Sequence, residues 1–254
     1  MNSRISQIKF DGIKNHTLSE IVTDNYHTSE VFEKNNLDFC CNGNITFENA
    51  CKENSLDPEL VFADLEKVYS SNLSNDQKYD EWELDFLIDY IINNHHKYVS
   101  RMIPVIAEHC NKVAASHGKN HPEMNKISEI FSMIYKELKQ HMLKEEQMLF
   151  PFIKQSVKAK NDNLRTERPY FGSVQNPIRM MESEHENAGD GFHEIKRLSN
   201  NYSVPDDGCE TYAVLYKELK EFEDDLHKHI HLENNILFPK AIELENEMLQ
   251  VSQS

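Results

Sequence analysis

The chain has 254 residues, longer than a typical domain of roughly 100 to 200, and carries a formal net charge of −16 at pH 7 with 39% hydrophobic and 28% charged residues. That charge repels a phosphate backbone and no Lys/Arg cluster reverses it locally, so nucleic acid is excluded as an expected partner. No run approaches the roughly 18 uninterrupted apolar residues of a membrane span, the opening residues lack the apolar core of a signal peptide, and five unevenly spaced cysteines argue against a disulfide framework, so a cytoplasmic location without membrane attachment is expected.

Only 7 Gly and 8 Pro favour long helices over a turn-rich sheet protein, and the expected fold class is all-α. The first seventy residues read as a small helical module. It begins with the capping-box pattern Thr17-Leu-Ser-Glu20 and ends with Asp57-Pro58-Glu59, where Asp caps and Pro occupies the first turn. Between its helices, the turn signal Asn42-Gly43 leaves the adjacent thiols of Cys40 and Cys41 on a loop. The polar stretch 70–76 reads as a linker. The predicted domains are therefore a module at 1–70, a linker at 71–80 and a helical bundle at 81–254.

From Glu81 onward, Leu84, Leu87, Ile88, Ile91 and Ile92 form one broad apolar stripe running toward His95 and His96, the signature of a first long helix. A second is predicted from about 122 to 158, a third from about 177 to 200, and a fourth from about 207 to the C-terminal end. Four helices of this length suit a bundle with inward-facing ligands. The longest connection, 160–176, is expected to cross between the two helix pairs.

Two blocks in the second and fourth helices read almost alike: HMLKEEQMLFP at 141–151 and HIHLENNILFP at 229–239. Each places a histidine four residues before a glutamate, His141 with Glu145 and His229 with Glu233, so imidazole and carboxylate share one helix face a turn apart. Each is also preceded by a helical histidine at nearly the same interval, His96 before His141 and His185 before His229. The repeated arrangement implies duplication, with four imidazoles and two carboxylates. Six ligands suit two metal ions better than one.

A carboxylate flanked by apolar helix residues is costly to bury unless a cation satisfies it. An imidazole and carboxylate set without thiolate suits iron or manganese in octahedral surroundings better than structural zinc, and iron is the expected metal. A ferritin-type cage would need two Glu-x-x-His turns and two further Glu; Glu182-Ser-Glu-His185 supplies that spacing once, and the two His-x-x-x-Glu turns run the opposite way. His95 lies about 100° from His96 on a helix, and the interval to His141 does not decide between them. His95, His227 and His231 are expected to face solvent or to stand behind the ligands.

These features together resemble the hemerythrin-like domain and, within it, the RIC (repair of iron centres) family of bacterial di-iron proteins. The resemblance rests on the Cys40-Cys41 module, His96, the two blocks with their Leu-Phe-Pro endings and Met181-Glu-Ser-Glu-His185. It implies that His96, His141, His185 and His229 bind two iron ions, with Glu145 and Glu233 as bridging carboxylates and a bridging oxo or hydroxo ligand. It also implies a homodimer and a stress-response role in repairing iron-sulfur clusters damaged by nitric oxide or peroxide. The third long helix lacks the His-x-x-x-His turn of oxygen-carrying hemerythrins, since Gly189 lies four residues after His185. With roughly twelve sites on two octahedral ions, this set leaves about two positions open to NO, peroxide or oxygen.

The expected function is therefore iron supply to damaged iron-sulfur proteins or apo-cluster scaffolds, with donation rather than catalysis as the main activity. Reductive coupling of NO to N2O at the di-iron centre is the enzymatic alternative, and sensing or carriage of NO or O2 is a third. Cys40 and Cys41 form a candidate thiol transfer site or a chance adjacency in a small module. Glu184 is a candidate acid behind the metal ligands or one more surface glutamate. Gly189 and Gly191, each costing about 1 kcal/mol against alanine inside a helix, imply close helix approach, a passage to the metals or a local kink.

Overall fold

The computed structural model describes residues 10–71, 77–164 and 169–251, so the predicted linker at 71–80 lies partly outside them. The described residues are helical with no strand, the only β pairing among them being an isolated bridge between Thr17 and Thr46. Two compact units are present: residues 1–83 with 230–239, and residues 84–229 with 240–254.

The first unit opens with α1 (Phe10–Ile13), α2 (Leu18–Asp24) and α3 (Ser29–Lys34), followed by α4 (Phe47–Glu53) and α5 (Pro58–Ser70). Its helix starts follow the predicted chemistry. Thr17 accepts from the Glu20 amide while the Glu20 side chain accepts from the Thr17 amide, a complete capping box. Asp57 caps α5, with Pro58 in its first turn. Phe32, Phe39, Phe47, Ile21 and Leu65 are buried at the centre of this unit. Gly43 is required by close approach, because a Cβ there would lie 2.2 Å from the Phe39 carbonyl oxygen.

The second unit contains the predicted long helices, apart from residues 230–239 of the fourth. The first is α6 (Leu84–Ile91), a π-turn (Ile92–His96) and α7 (Lys97–His117); the second is α8 (Glu123–Lys144), a π-turn (Glu145–Leu149) and α9 (Phe150–Asn161). The third is α10 (Gln175–Leu198). The fourth runs through α11 (Glu210–Leu232), a π-turn (Glu233–Leu237) and α12 (Phe238–Val251), and it passes through both units. In the 160–176 connection, residues 165–168 lie outside the described set.

α8 packs against α7 and α10. Phe222 on α11 is fully buried and meets Tyr98 of α7, Phe131 of α8 and Phe192 of α10, tying the four long helices into one core. Burial of such an aromatic stabilises by about 1.5 to 3 kcal/mol. Gly191 serves close helix approach: a Cβ there would stand 2.8 Å from Ile134 Cδ1, so its absence admits the α8 side chain against α10. No described helix is long and apolar enough to cross a membrane.

Candidate metal centre

Three π-turns interrupt the long helices, and each begins or ends at a residue the sequence singled out: His96, Glu145 and Glu233. A π-turn adds one residue to a helical turn and redirects the side chains around it, and such turns concentrate at functional sites. Pro151 and Pro239 follow two of them closely, at the start of α9 and α12. Proline is tolerated in a first helical turn, where its missing N–H is not needed. The Leu-Phe-Pro endings are thus the points where regular helix resumes.

His96, His141, Glu145, His185, His229 and Glu233 are each no more than 2% exposed. They fall into two groups whose ligating atoms lie within 4.8 Å of one another: His96, Glu145, His229 and Glu233, and His141, Glu145, His185 and Glu233. Both groups contain both glutamates, which sorts the histidines into pairs, a grouping that sequence spacing left open. The ring centroids are 4.9 Å apart for His96 and His229 and 4.6 Å apart for His141 and His185.

The electrostatics suit a cation. Both Glu145 oxygens are buried without a hydrogen bond, although His96 Nε2 and His141 Nε2 stand 3.4 and 3.3 Å from Oε2. His185 Nε2 and His141 Nε2 face each other at 3.0 Å. On the outer side, His96 Nδ1 pairs with Glu146 Oε1 at 2.7 Å, and His141 Nδ1 with Glu184 Oε2 at 3.0 Å. A ring whose Nδ1–H donates to a carboxylate turns an Nε2 lone pair inward, the arrangement that orients metal-bound histidines. Buried carboxylate oxygens and inward lone pairs, with no donor to satisfy that carboxylate, fit divalent cations.

Glu184, next to His185 in sequence, therefore stands behind His141 and also pairs with Lys144. The hydrogen bond from His141 holds its carboxyl down at about 2; partial burial opposes this and Lys144 reinforces it.

Of the two expectations for His95 and His231, facing solvent or standing behind the ligands, burial removes the first. His95 is buried, pairs through Nδ1 with Asp225 at 3.0 Å, and stacks on His229 with centroids 5.6 Å apart. The π-turn that ends at His96 turns both neighbouring rings inward. His231 is buried between Tyr26 and Phe39, while His227 is partly exposed. Sequence reading missed Glu146, Lys144 and Asp225. Only Asp225 carried a signal, lying one helical turn before His229.

Within the first unit, Asp38 organises the cysteine loop. Its Oδ1 accepts from the Cys40 and Cys41 amides at 3.0 and 2.9 Å, and its Oδ2 from the Asn42 amide and side chain at 3.2 and 2.8 Å. Burial pushes this carboxyl up, but those hydrogen bonds outweigh it and leave it below the usual range. The Cys40 thiol is raised by its contact with Cys41, then by burial and the nearby Asp38 charge. Residues 230–239 hold the same loop: Asn234 donates to the Cys40 carbonyl at 3.2 Å, and Asn235 to the Phe39 and Cys40 carbonyls at 3.2 and 3.3 Å. Cys51 and Cys110 are buried, their thiols pushed up to about 11 and about 12 chiefly by burial, whereas Cys209 is exposed.

Residues 87–241 match the model of the hemerythrin HHE cation binding domain, and residues 14–69 match a domain of unknown function, DUF542. The iron-sulfur cluster repair protein YtfE of Shigella boydii serotype 4 (strain Sb227) is 33% identical over 229 residues, covering 90% of this chain and 97% of that protein. The chain belongs to the RIC family. Proteins of the same name from Escherichia coli O17:K52:H18 (strain UMN026 / ExPEC) and Escherichia coli (strain K12 / DH10B) are each 32% identical with the same coverage. In this RIC-family chain the HHE match spans all six buried His/Glu side chains, and the DUF542 match spans Asp38, Cys40 and Cys41.

Proposed function

We propose that the protein is a di-iron protein that repairs iron-sulfur clusters damaged by nitric oxide or peroxide, by supplying iron to damaged proteins or apo-cluster scaffolds. The observation that carries this reading is the pair of buried His/Glu groups overlapping in Glu145 and Glu233. In this reading His96 and His229 would hold one iron and His141 and His185 the other. Glu145 and Glu233, common to both groups, would serve both ions as bridging carboxylates, and an oxo or hydroxo ligand would complete the centre. Bound ferrous ions supply the transferable metal.

The residues of the chain set how firmly that metal is held. Two buried carboxylates offset part of the charge of two divalent ions, and the imidazoles donate as neutral ligands. Glu146 and Glu184 fix the histidine tautomers and are themselves 43% and 27% exposed, so the orienting shell reaches solvent. The names of the relatives favour cluster repair over NO reduction to N2O and over carriage of a diatomic gas. A domain division at 1–70, 71–80 and 81–254, a homodimer, a stress-response role and a cytoplasmic location complete the proposal. The dimer is checked by sedimentation at several protein concentrations.

Metal analysis with Mössbauer spectroscopy tests the centre, and two coupled irons per chain are expected. Iron transfer to an apo-cluster protein, timed with and without a competing chelator, tests the activity. Iron that never leaves the chain would refute donation. N2O in the headspace under anaerobic turnover would move the assignment to NO reduction.

A further inference from the structure

Outside the His/Glu groups, one other set of side chains among the described residues has metal-ligating atoms within 4.8 Å of one another: Asp38, Cys40 and Cys41. The two sulfur atoms are 3.9 Å apart. A cation making the tetrahedral angle with two sulfurs at that separation lies about 2.4 Å from each, close to the ~2.3 Å of zinc–thiolate bonds. Asp38 Oδ1 lies 3.3 Å from Cys40 Sγ, in position to accept the thiol proton. Cys40 is 6% exposed and Cys41 is half-buried at the wall of a cavity of about 490 Å3. Asn36, Asp38, Asn42, Glu53 and Asn54 also line that cavity, so polar groups surround the Cys41 side of the pair.

From this geometry we infer that Cys40, Cys41 and Asp38 form a second, mononuclear site for a thiophilic divalent cation. The two thiolates chelate through adjacent residues, and Asp38 Oδ1 takes the third position where the Cys40 proton now points. Both thiol protons leave to solvent when the cation enters. The fourth position opens on the cavity, where water or a donor atom from another molecule completes the tetrahedron. A mixed thiolate and carboxylate set suits soft or borderline ions such as Zn2+, Co2+ and Fe2+ and disfavours Mg2+ and Ca2+. The inference does not depend on iron occupying the His/Glu groups.

Titration of the reduced full-length protein with Co2+ under anaerobic conditions tests it. Thiolate-to-cobalt charge-transfer absorption should grow and saturate at one equivalent for this site. The double variant C40S/C41S should lose the band, and C41S alone, altering the less buried thiol, should lose most of it. D38N should weaken binding by about tenfold or more. E145Q/E233Q should keep the band, which separates this site from the di-iron reading. Absence of the band in the wild-type protein, or an unchanged band in C40S/C41S or in C41S, would overturn the inference.

Discussion

In the block at 141–151 the residue after the glutamate, Glu146, reaches back to His96 Nδ1. In the block at 229–239 the corresponding stretch, Asn234 and Asn235, holds the carbonyls of Phe39 and Cys40 instead. Both blocks place a buried histidine and a buried glutamate one turn apart, and both open a π-turn at the glutamate. The inward positions coincide because both must present an imidazole and a carboxylate to one point. The outward positions are free of that constraint and have taken different work: one orients a histidine, the other anchors the cysteine loop. The second block thus joins, on one helix, a candidate bridging carboxylate and the clamp on the thiol loop.

The largest expected effect comes from breaking what the blocks share. Because Glu145 belongs to both His/Glu groups, Glu145→Gln should strip both irons and not one, leaving a small fraction of the wild-type iron by metal analysis. His185→Ala, which touches one group, should leave the other ion measurably bound. Glu145→Leu should also abolish iron retention yet stabilise the metal-free protein by about 1 to 3 kcal/mol, since it removes a buried carboxylate without hydrogen bonds. A metal-free E145L protein that melts below the metal-free wild type would break the argument that this carboxylate is placed for a cation.

The next effect separates the outward positions. Glu146→Ala removes the acceptor at His96 Nδ1 and should weaken iron binding by about 10- to 100-fold in chelator competition. Asn234→Ala, in the corresponding place of the other block, should leave iron affinity unchanged. Equal losses in the two variants would mean that the blocks have not diverged in role.

Much of this candidate site was legible because helical periodicity is strict. Residues four apart share a face, so His141 with Glu145 and His229 with Glu233 declared themselves, and duplication brought in His96 and His185. The long helices were equally readable from their apolar stripes. The π-turns were not, because an extra residue in a turn leaves no mark on composition or spacing. The choice for His95 between facing solvent and standing behind the ligands stayed open for that reason: on a regular helix it points away from its neighbour, whereas after the π-turn both rings are buried. Glu146 stays hidden because its partner lies on another helix. The burial of His231 stayed hidden because nothing local to the fourth helix announces that Tyr26 and Phe39 enclose it.

A third effect tests the clamp on the cysteine loop. Asn235 donates to two carbonyls and stands 3.1 Å from His231 Nδ1. Replacing Asn234-Asn235 by the Glu-Gln pair of the first block should retain iron, cost about 0.5 to 1.5 kcal/mol through the hydrogen bond to the Cys40 carbonyl that a glutamate cannot donate, and speed alkylation of the Cys40 thiol. Unchanged alkylation kinetics would show that these asparagines do not restrain the loop.

The smallest effect lies one turn before each histidine. Asp225, one turn before the second block, pairs with buried His95, which in turn stacks on His229, whereas Glu137, one turn before the first block, is exposed. Asp225→Asn keeps the shape but replaces the charged partner of His95 Nδ1 by a neutral amide, leaving the imidazole held less firmly against His229. Iron affinity should fall less than in E146A, because His95 touches a candidate ligand ring without being in either group. The Mössbauer signal of one iron should nevertheless shift relative to the other, because His229 belongs to one group alone. Glu137→Gln, altering the same position of the other block, should change neither affinity nor spectrum. A matching shift in E137Q would mean that the perturbation travels through net charge and not through the His95–His229 contact.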